Sequence, residues 1–451
     1  MRARARVALL ALSVSGCVSF TPDGGFASVA TATKARSGND VSWARTDGAR
    51  DAIAARVAEL LRTPLSADDA VQVALLNNRG LQATFYELGI SESNLVQAGR
   101  MPNPRVSMVR AQRGGEYKIE QSITANVFAL ITMPKAIAIE RRRFAQAQRH
   151  VEAEITALAA DTRRAYVAAV AAEQGTRYAA QVQDVADAGA ELGARLYRVG
   201  NWNKLSQSRE HAFAADAALA RVRADQVSVA AREQLTRLLG LWGEQVAFTL
   251  PERLAELPTA PRELPDVESL ALAGRLDVQS RRLETEALAS NLGLTKTTRF
   301  VNVLEMGPTR VREGAKSDPY QHGYAVSLEV PLFDWGGAKV AKAEAVYMQS
   351  VNLLAETAIN ARSEAREAYR SYRLRYDIAR RYRDEILPTS KRIGDENLQR
   401  YNGMLIGVFE LLADARSQVA NVSAYIDALR DFWLADARLG QVMTTPLTRN
   451  E

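Results

Sequence analysis

The sequence predicts a mainly α protein with a small β part, built twice from one plan. Three observations carry this. Two long stretches have a helical composition; in the first no proline intervenes from Pro134 to Pro251, and it is rich in Ala, Arg, Gln, Glu and Leu, all strong helix formers. Short segments that alternate apolar and polar residues precede each of them, with the period of two that marks a strand with two unlike faces. Landmarks also recur at a fixed distance: Gln82 and Gln279 stand 197 residues apart, and so do Pro134 and Pro331. An unchanged offset across quite different local sequences points to duplication. The period far exceeds the 20–50 residues of a solenoid repeat, so a two-fold architecture is expected.

The chain begins with Arg2, Arg4 and Arg6, then the apolar run Val7 to Val14, then Ser15 and Gly16 before Cys17, the only cysteine among 451 residues. A charged start, a short apolar run and small residues form the layout of a secretory signal. The run is too short to span a bilayer, which takes about 20 residues. One cysteine cannot form a disulfide within the chain, and a free thiol suits an oxidising compartment poorly. Val14-Ser15-Gly16-Cys17 resembles the lipobox of bacterial lipoproteins. That resemblance implies a signal peptide at 1–16, acylation of Cys17 and a lipidated, extended arm over 17–64. Val18, where an Asp would favour inner-membrane retention, makes the outer membrane the expected destination.

Hydrophobic residues make up 47% and charged residues 24%, enough to bury a sizeable core. The balance is mildly basic, with 58 Lys and Arg against 52 Asp and Glu, but export removes nucleic acid as a partner. After Cys17 no apolar run approaches the length of a membrane helix, so any crossing must use strands.

The first repeat is expected over 65–258. It opens at "LSADDAVQVALL", where Ser66 and Asp69 have the spacing of a capping box. Strands follow at about 103–131: "NPRVSMVRAQ", a turn at Gly114-Gly115, then "EYKIEQSITANVFAL", which puts Ile119, Ile123, Val127 and Ala129 on one side. A helical hairpin at about 135–240 completes the unit. Its first helix, from about Lys135 to Leu196, would be roughly 90 Å long at 1.5 Å per residue. Ile155, Leu158, Tyr166 and Val170 recur along it at helical spacing.

The second repeat is expected over 259–446. Asp266 is placed to cap its opening helix. Strands at about 299–333 comprise "RFVNVLEMG" and "YAVSLEVPL", joined by a polar turn, and a hairpin at about 338–440 carries Tyr369, Tyr372 and Tyr376 on its apolar stripe. Gly200 and Gly403 mark the hairpin tips, each suited to a turn that ends a helix. Four strands are too few to close a barrel, and an open edge in lipid leaves backbone groups unpaired. Several copies of the chain would have to share one barrel.

The remaining chemistry is sparse. His150, His211 and His322 lie in three different segments, and no metalloprotease, phosphate-loop, nucleophile-elbow or zinc pattern is present. His150-Val151-Glu152 echoes a zinc-deaminase fragment without the cysteines that would complete it. No catalytic residue, metal ligand or cofactor is expected, and the chain reads as a non-enzyme.

Together, "RLYRVGN" at 195–201, "VPLFDWGG" at 330–337 and "RYNGMLIGVFELLADARSQVANVSAYIDALRDFWLADARLG" at 400–440 resemble the TolC-like outer-membrane efflux family, in this order and duplicated placement. The resemblance implies a homotrimer in which each protomer gives four strands to a shared 12-stranded outer-membrane barrel, and its helices to a hollow periplasmic α-barrel. It implies passive export of small molecules or metal ions, delivered by an inner-membrane pump and a periplasmic adaptor. The tips Tyr197, Val199, Gly200, Asn201, Tyr401, Asn402 and Gly403 would then meet the adaptor. Glu410 and Asp414, four residues apart on one helical face, would be gate acids, although Phe409 and Leu412 occupy positions where the family pattern has acids. The rival expectation is a lipoprotein that bridges the periplasm without a pore. Arg141, Arg142, Arg143, Lys339 and Lys342, which follow the strands, are candidates for contact with headgroups.

Overall fold

The computed structural model describes residues 18–301 and 303–443, arranged as two units. The signal peptide and Cys17 lie outside the described residues. Of the described residues, one unit comprises 18–29, 85–151, 276–301 and 303–359; the other comprises 30–84, 152–275 and 360–443.

The first unit holds an antiparallel sheet of β1 (Arg105–Arg113), β2 (Glu116–Asn126), β3 (Leu304–Gly314) and β4 (Gln321–Leu328), ordered as in the chain. Both repeats thus contribute one hairpin, and the hairpins pair through β2 and β3. Gly114, at φ +60°, takes the first central position of the two-residue β1–β2 turn, where glycine meets no steric cost. The register places Val106 opposite Ile123 and Met306 opposite Val326 on one face, while Ser107 meets Ser122 and Glu305 meets Ser327 on the other. The apolar face is bare: Val106 is 72% exposed and Tyr324 85%. On the polar face Arg105 pairs with Glu305 at 3.2 Å.

The alternation in "EYKIEQSITANVFAL" predicted a strand reaching about residue 131, but the strand stops at Asn126. The Asn126 side chain accepts the Ala129 backbone N–H at 2.8 Å and so starts a helix there. The stretch expected as an extended arm is partly helical, in α1 (Phe26–Ser37) and α2 (Asp47–Leu60). The Asp23 carboxylate accepts the Ala27 N–H at 2.5 Å, which holds it below its ordinary range, and Thr46 caps α2 through Ala49. Within the sheet unit, Thr21 near the start of the arm donates to the buried Glu92 at 2.7 Å.

In the second unit, α3 (Ala67–Asn77) opens with the anticipated capping box between Ser66 and Asp69. Asp266 precedes its counterpart α7 (Val267–Gly274) without a side-chain cap, a departure from expectation, because its backbone lies outside the extended region that aims a capping oxygen. Between them run α4 (Arg79–Ala98), α5 (Val127–Arg198) and α6 (Lys204–Leu239). α5 comprises 72 residues, those up to Val151 in the first unit and the rest in the second. α8 (Leu276–Thr298) belongs to the first unit and α9 (Gly337–Arg381) begins there; a π-helical turn at Tyr382–Ile386, α10 (Leu387–Asn402) and α11 (Val408–Met443) belong to the second.

Helices this long gain stability from packing more than from propensity. Val170, Leu235, Tyr372, Tyr376 and Phe432 form part of one core, in which the Phe432 ring lies 5.4 Å from Tyr372 and 5.8 Å from Tyr376. The tyrosine hydroxyls anchor the segment between the repeats: Tyr372 accepts the Arg262 N–H at 3.0 Å, and Tyr376 donates to Thr259 O at 2.8 Å. The Asn77 side chain donates to Gly240 O at 2.8 Å and Asn78 to Leu238 O at 2.9 Å, satisfying carbonyls at the end of α6.

Tyr166, in the core, donates to Leu65 O at 3.0 Å; burial, with Asp69 and Asp68 nearby, pushes its hydroxyl up to about 12. The unfolded chain releases this proton near pH 10, before the folded one does. The group's contribution to stability is therefore complete below pH 10 and is lost as pH rises toward 12. Tyr166→Phe should cost about 1 kcal/mol at neutral pH and remove that part of the alkaline loss. Urea unfolding followed by circular dichroism at pH 8 and pH 11 checks it; an unchanged alkaline decline would assign the loss to other groups.

Candidate functional site

The two hairpin ends and the helix that follows the second collect most of the residues singled out in the sequence. At the first end, Gly200 N–H donates to Tyr197 O at 3.0 Å and Asn201 N–H to Leu196 O at 2.9 Å. This crossed pair is a Schellman motif, which needs a left-handed residue between helix and loop; Gly200 supplies it at φ +79°. Asn203 then caps α6 by accepting Ser206 N–H at 2.8 Å.

The second end repeats the motif displaced by one residue. Gly403 keeps φ −78°, and Met404 takes the left-handed position at φ +58°. Met404 N–H donates to Tyr401 O at 2.9 Å and Leu405 N–H to Arg400 O at 2.8 Å. The expectation that Gly403 supplies the special backbone conformation is thus corrected, because α10 runs through Asn402 and leaves the glycine half inside the last turn. A side chain in this conformation costs roughly 1–2 kcal/mol, and Met404 is 93% exposed, so burial of its side chain does not offset that. Val199 and Leu405 are also exposed, at 70% and 73%.

Two contacts join the hairpins near these ends, and the sequence singled out neither. Trp202 stacks on Phe409 with centroids 4.3 Å apart and rings 18° from parallel. Further along, Arg416 of α11 meets Glu210 of α6 at 2.5 Å, with the Glu210 side chain only 4% exposed. The Arg416 guanidinium lies 4.6 Å over the Phe213 ring. Gly193 of α5 leaves room here, since a Cβ on it would press on the Trp202 ring. The sequence hints were slight: a tryptophan two residues past a tip glycine, and an aromatic at 409 where an acid was expected.

Glu410 and Asp414 lie one turn apart on α11. Glu410 is exposed. Asp414 turns toward α10 of its own hairpin, where Gln418 donates to it at 3.2 Å and to Ser390 O at 3.3 Å. Asp414, Ser390, Ser417 and Asn421 line an open cleft of about 310 Å³ that extends to Glu385 and Ile386 in the π turn. Pro388 stands in the first turn of the helix that follows. The first repeat has no such turn in α5.

Elsewhere, Arg142 donates to Ser290 at 3.1 Å and Arg143 to Glu140 at 2.6 Å. His150 stands 3.7 Å from Glu87, while Glu152 is buried beside Arg36, so the His-x-Glu fragment faces two different environments. Among the described residues no cluster of three or more His, Cys, Asp or Glu is arranged for a metal ion, and no helix is long and apolar enough to cross a membrane.

No family model matches the chain. The cobalt-zinc-cadmium resistance protein CzcC of Cupriavidus metallidurans is 22% identical over 277 residues, which cover 60% of this chain and 64% of that relative, just under two thirds of its length. The outer membrane protein VceC of Vibrio cholerae superposes with a TM-score of 0.70 at 15% identity, over 84% of this chain and 96% of that one. The CmeC outer membrane channel of Campylobacter jejuni gives 0.69 at 15% identity, over 85% and 87%. At such identities the likeness establishes a shared fold.

The Schellman assignment has a direct test. Gly200→Ala should destabilise the first end by about 1 kcal/mol, and Met404→Gly should stabilise the second by a similar amount. Amide hydrogen exchange at residues 196–203 and 399–406 measures both, and equal exchange in Met404→Gly and wild type would remove the strain assigned to Met404.

Proposed function

We propose that this chain, which has the fold of the TolC-like outer-membrane channels, is the outer-membrane exit duct of a tripartite efflux system. The observation that carries the proposal is the open four-stranded sheet with one bare apolar face. Water disfavours that face and lipid suits it, but lipid cannot satisfy the free edges of β1 and β4. Three copies sharing one 12-stranded barrel would supply the missing partners, and the hairpins would continue the tube into the periplasm. A periplasmic adaptor and an inner-membrane pump would meet it at the ends marked by Tyr197, Val199, Gly200, Asn201, Tyr401, Asn402 and Gly403. Acylation of Cys17 would add a lipid anchor.

Conduction is passive on this reading. The name of CzcC, a cobalt-zinc-cadmium resistance protein, supports divalent metal cations as cargo. Rings of Glu410 and Asp414, three of each, would favour cations and repel anions at a constriction. The Arg416–Glu210 pair and the Trp202–Phe409 stack tie one hairpin to the other, so they hold the narrow end in one arrangement. Widening it requires breaking both.

Purified protein in a planar bilayer should give single-channel currents, and chemical crosslinking in detergent should give a trimer. A stable monomer without conductance would leave only a periplasmic spacer. Glu410→Ala with Asp414→Ala should weaken block by multivalent cations about tenfold, equivalent to about 1.4 kcal/mol of cation binding; unchanged block would clear these acids of a gating role. Glu210→Gln with Arg416→Gln should raise conductance, and a wild-type current would mean that the pair is structural only. Cys17→Ser should abolish labelling by palmitate.

A further inference from the structure

The two faces of the sheet differ in charge as well as polarity. Across the four strands, register puts Val106, Met108, Ile123, Met306, Val326 and Leu328 on one face. Toward the hairpin turns this same face becomes cationic, with Arg110, Arg310 and Arg312. The strand acids Glu116, Glu120, Glu305 and Glu313 all lie on the other face, since each pairs with a residue of that set or alternates with the apolar one. The arginines form a row: Arg110 is opposite Ile119, itself opposite Arg312, while Arg310 stands between Gln121 and His322.

Aromatic rings hold the row in place. Tyr320 lies between two guanidinium groups, 5.0 Å from that of Arg310 and 4.9 Å from that of Arg312, and Arg110 lies 5.9 Å from the Tyr117 ring. Arg310 Nε donates to Gln121 at 2.6 Å, and Arg312 Nη1 donates to Lys316 O at 3.0 Å. The Arg312 Nε is buried with no hydrogen-bond partner. Among the described residues none of the three forms an ion pair with a carboxylate, and Arg110 and Arg310 are exposed on this face.

Height fits a membrane edge. Extended pairing continues past β4, where Glu329 N–H donates to Val303 O at 3.3 Å. From Val330 to His322, eight residues rise roughly 20 Å at ~3.3 Å each with barrel-like tilt, close to the ~25 Å of a barrel's apolar band. Leu332 and Phe333, 69% and 99% exposed, extend the band at its other end. The arginines therefore stand at the level of the headgroups, at the end away from the helices.

We propose that Arg110, Arg310 and Arg312 bind the phosphate groups of a glycolipid in the outward-facing leaflet, whose acyl chains lie along the apolar rows below. The inference rests on the reading of the sheet as membrane-embedded. A headgroup with two phosphates suits three guanidinium groups spread over β1 and β3, two strand spacings or about 10 Å apart. A free anion would not account for the apolar rows that run up to the arginines, and the amine of a zwitterionic phospholipid would repel them.

The test uses full-length protein in detergent, titrated with a bisphosphorylated lipid A-type glycolipid, the same lipid stripped of phosphate, phosphatidylglycerol and inorganic phosphate, with binding read by native mass spectrometry. The bisphosphorylated lipid should bind at least about tenfold more tightly than each of the others, as charge-assisted contacts to phosphate predict. R110Q/R310Q/R312Q should lose that preference, and K118Q, on the opposite face, should keep it. Should the triple variant fail to assemble, R110Q and R312Q take its place, each with weaker binding; wild-type affinity in both overturns the site. Equal binding of phosphatidylglycerol or of inorganic phosphate overturns the assignment to a glycolipid. Bilayer conductance of the same preparation separates the two readings. Current without phosphate preference overturns the lipid site alone, and absence of both overturns the site together with the channel.

Discussion

The backbone hydrogen bond is the interaction on which the rest of this structure depends. Each interior strand of the sheet spends its N–H and C=O groups on neighbours at both sides, but β1 and β4 each present one unpaired edge. In water such an edge is solvated and is blunted by charge, proline or bulges. In hydrocarbon each unpaired group costs several kcal/mol, and closure is the general remedy. Exposed apolar residues line one face up to the arginines near its turns, while the other face carries mainly small, polar and charged residues, with Val109 and Val311 among them.

The helical part answers a different problem, since a hairpin of this length has much surface and little interior. Alanine at Ala361, Ala365 and Ala368, all buried, lets helices approach closely where bulkier side chains would hold them apart. The larger residues are concentrated at Tyr372, Tyr376 and Phe432, where they also organise the chain between the repeats. One cluster thus serves both as packing and as a brace for a segment with little regular structure of its own.

Much of this was readable from spacing. The capping box at Ser66, the period-two rows and the buried stripe through Tyr166 and Val170 depend on neighbours within a few residues, and all appear as expected. Helix ends were less readable, because one residue decides them. Asn126 converts an alternating strand into a helix start, and one further residue of helix moves the left-handed position from Gly403 to Met404. The helices of the arm were missed where alanine and glycine dominate and an apolar stripe is short. Partners distant in sequence were invisible: Arg416 and Glu210 are 206 residues apart, and nothing local marks either as a member of a pair.

That pair has one more property. Mobile ions weaken attraction between charges on an open surface within about a Debye length, but they do not enter a contact walled by rings and helix. Glu210 is nearly enclosed, with Arg416 lying over Phe213. The clasp between the hairpins should therefore hold with similar strength in dilute and in concentrated saline.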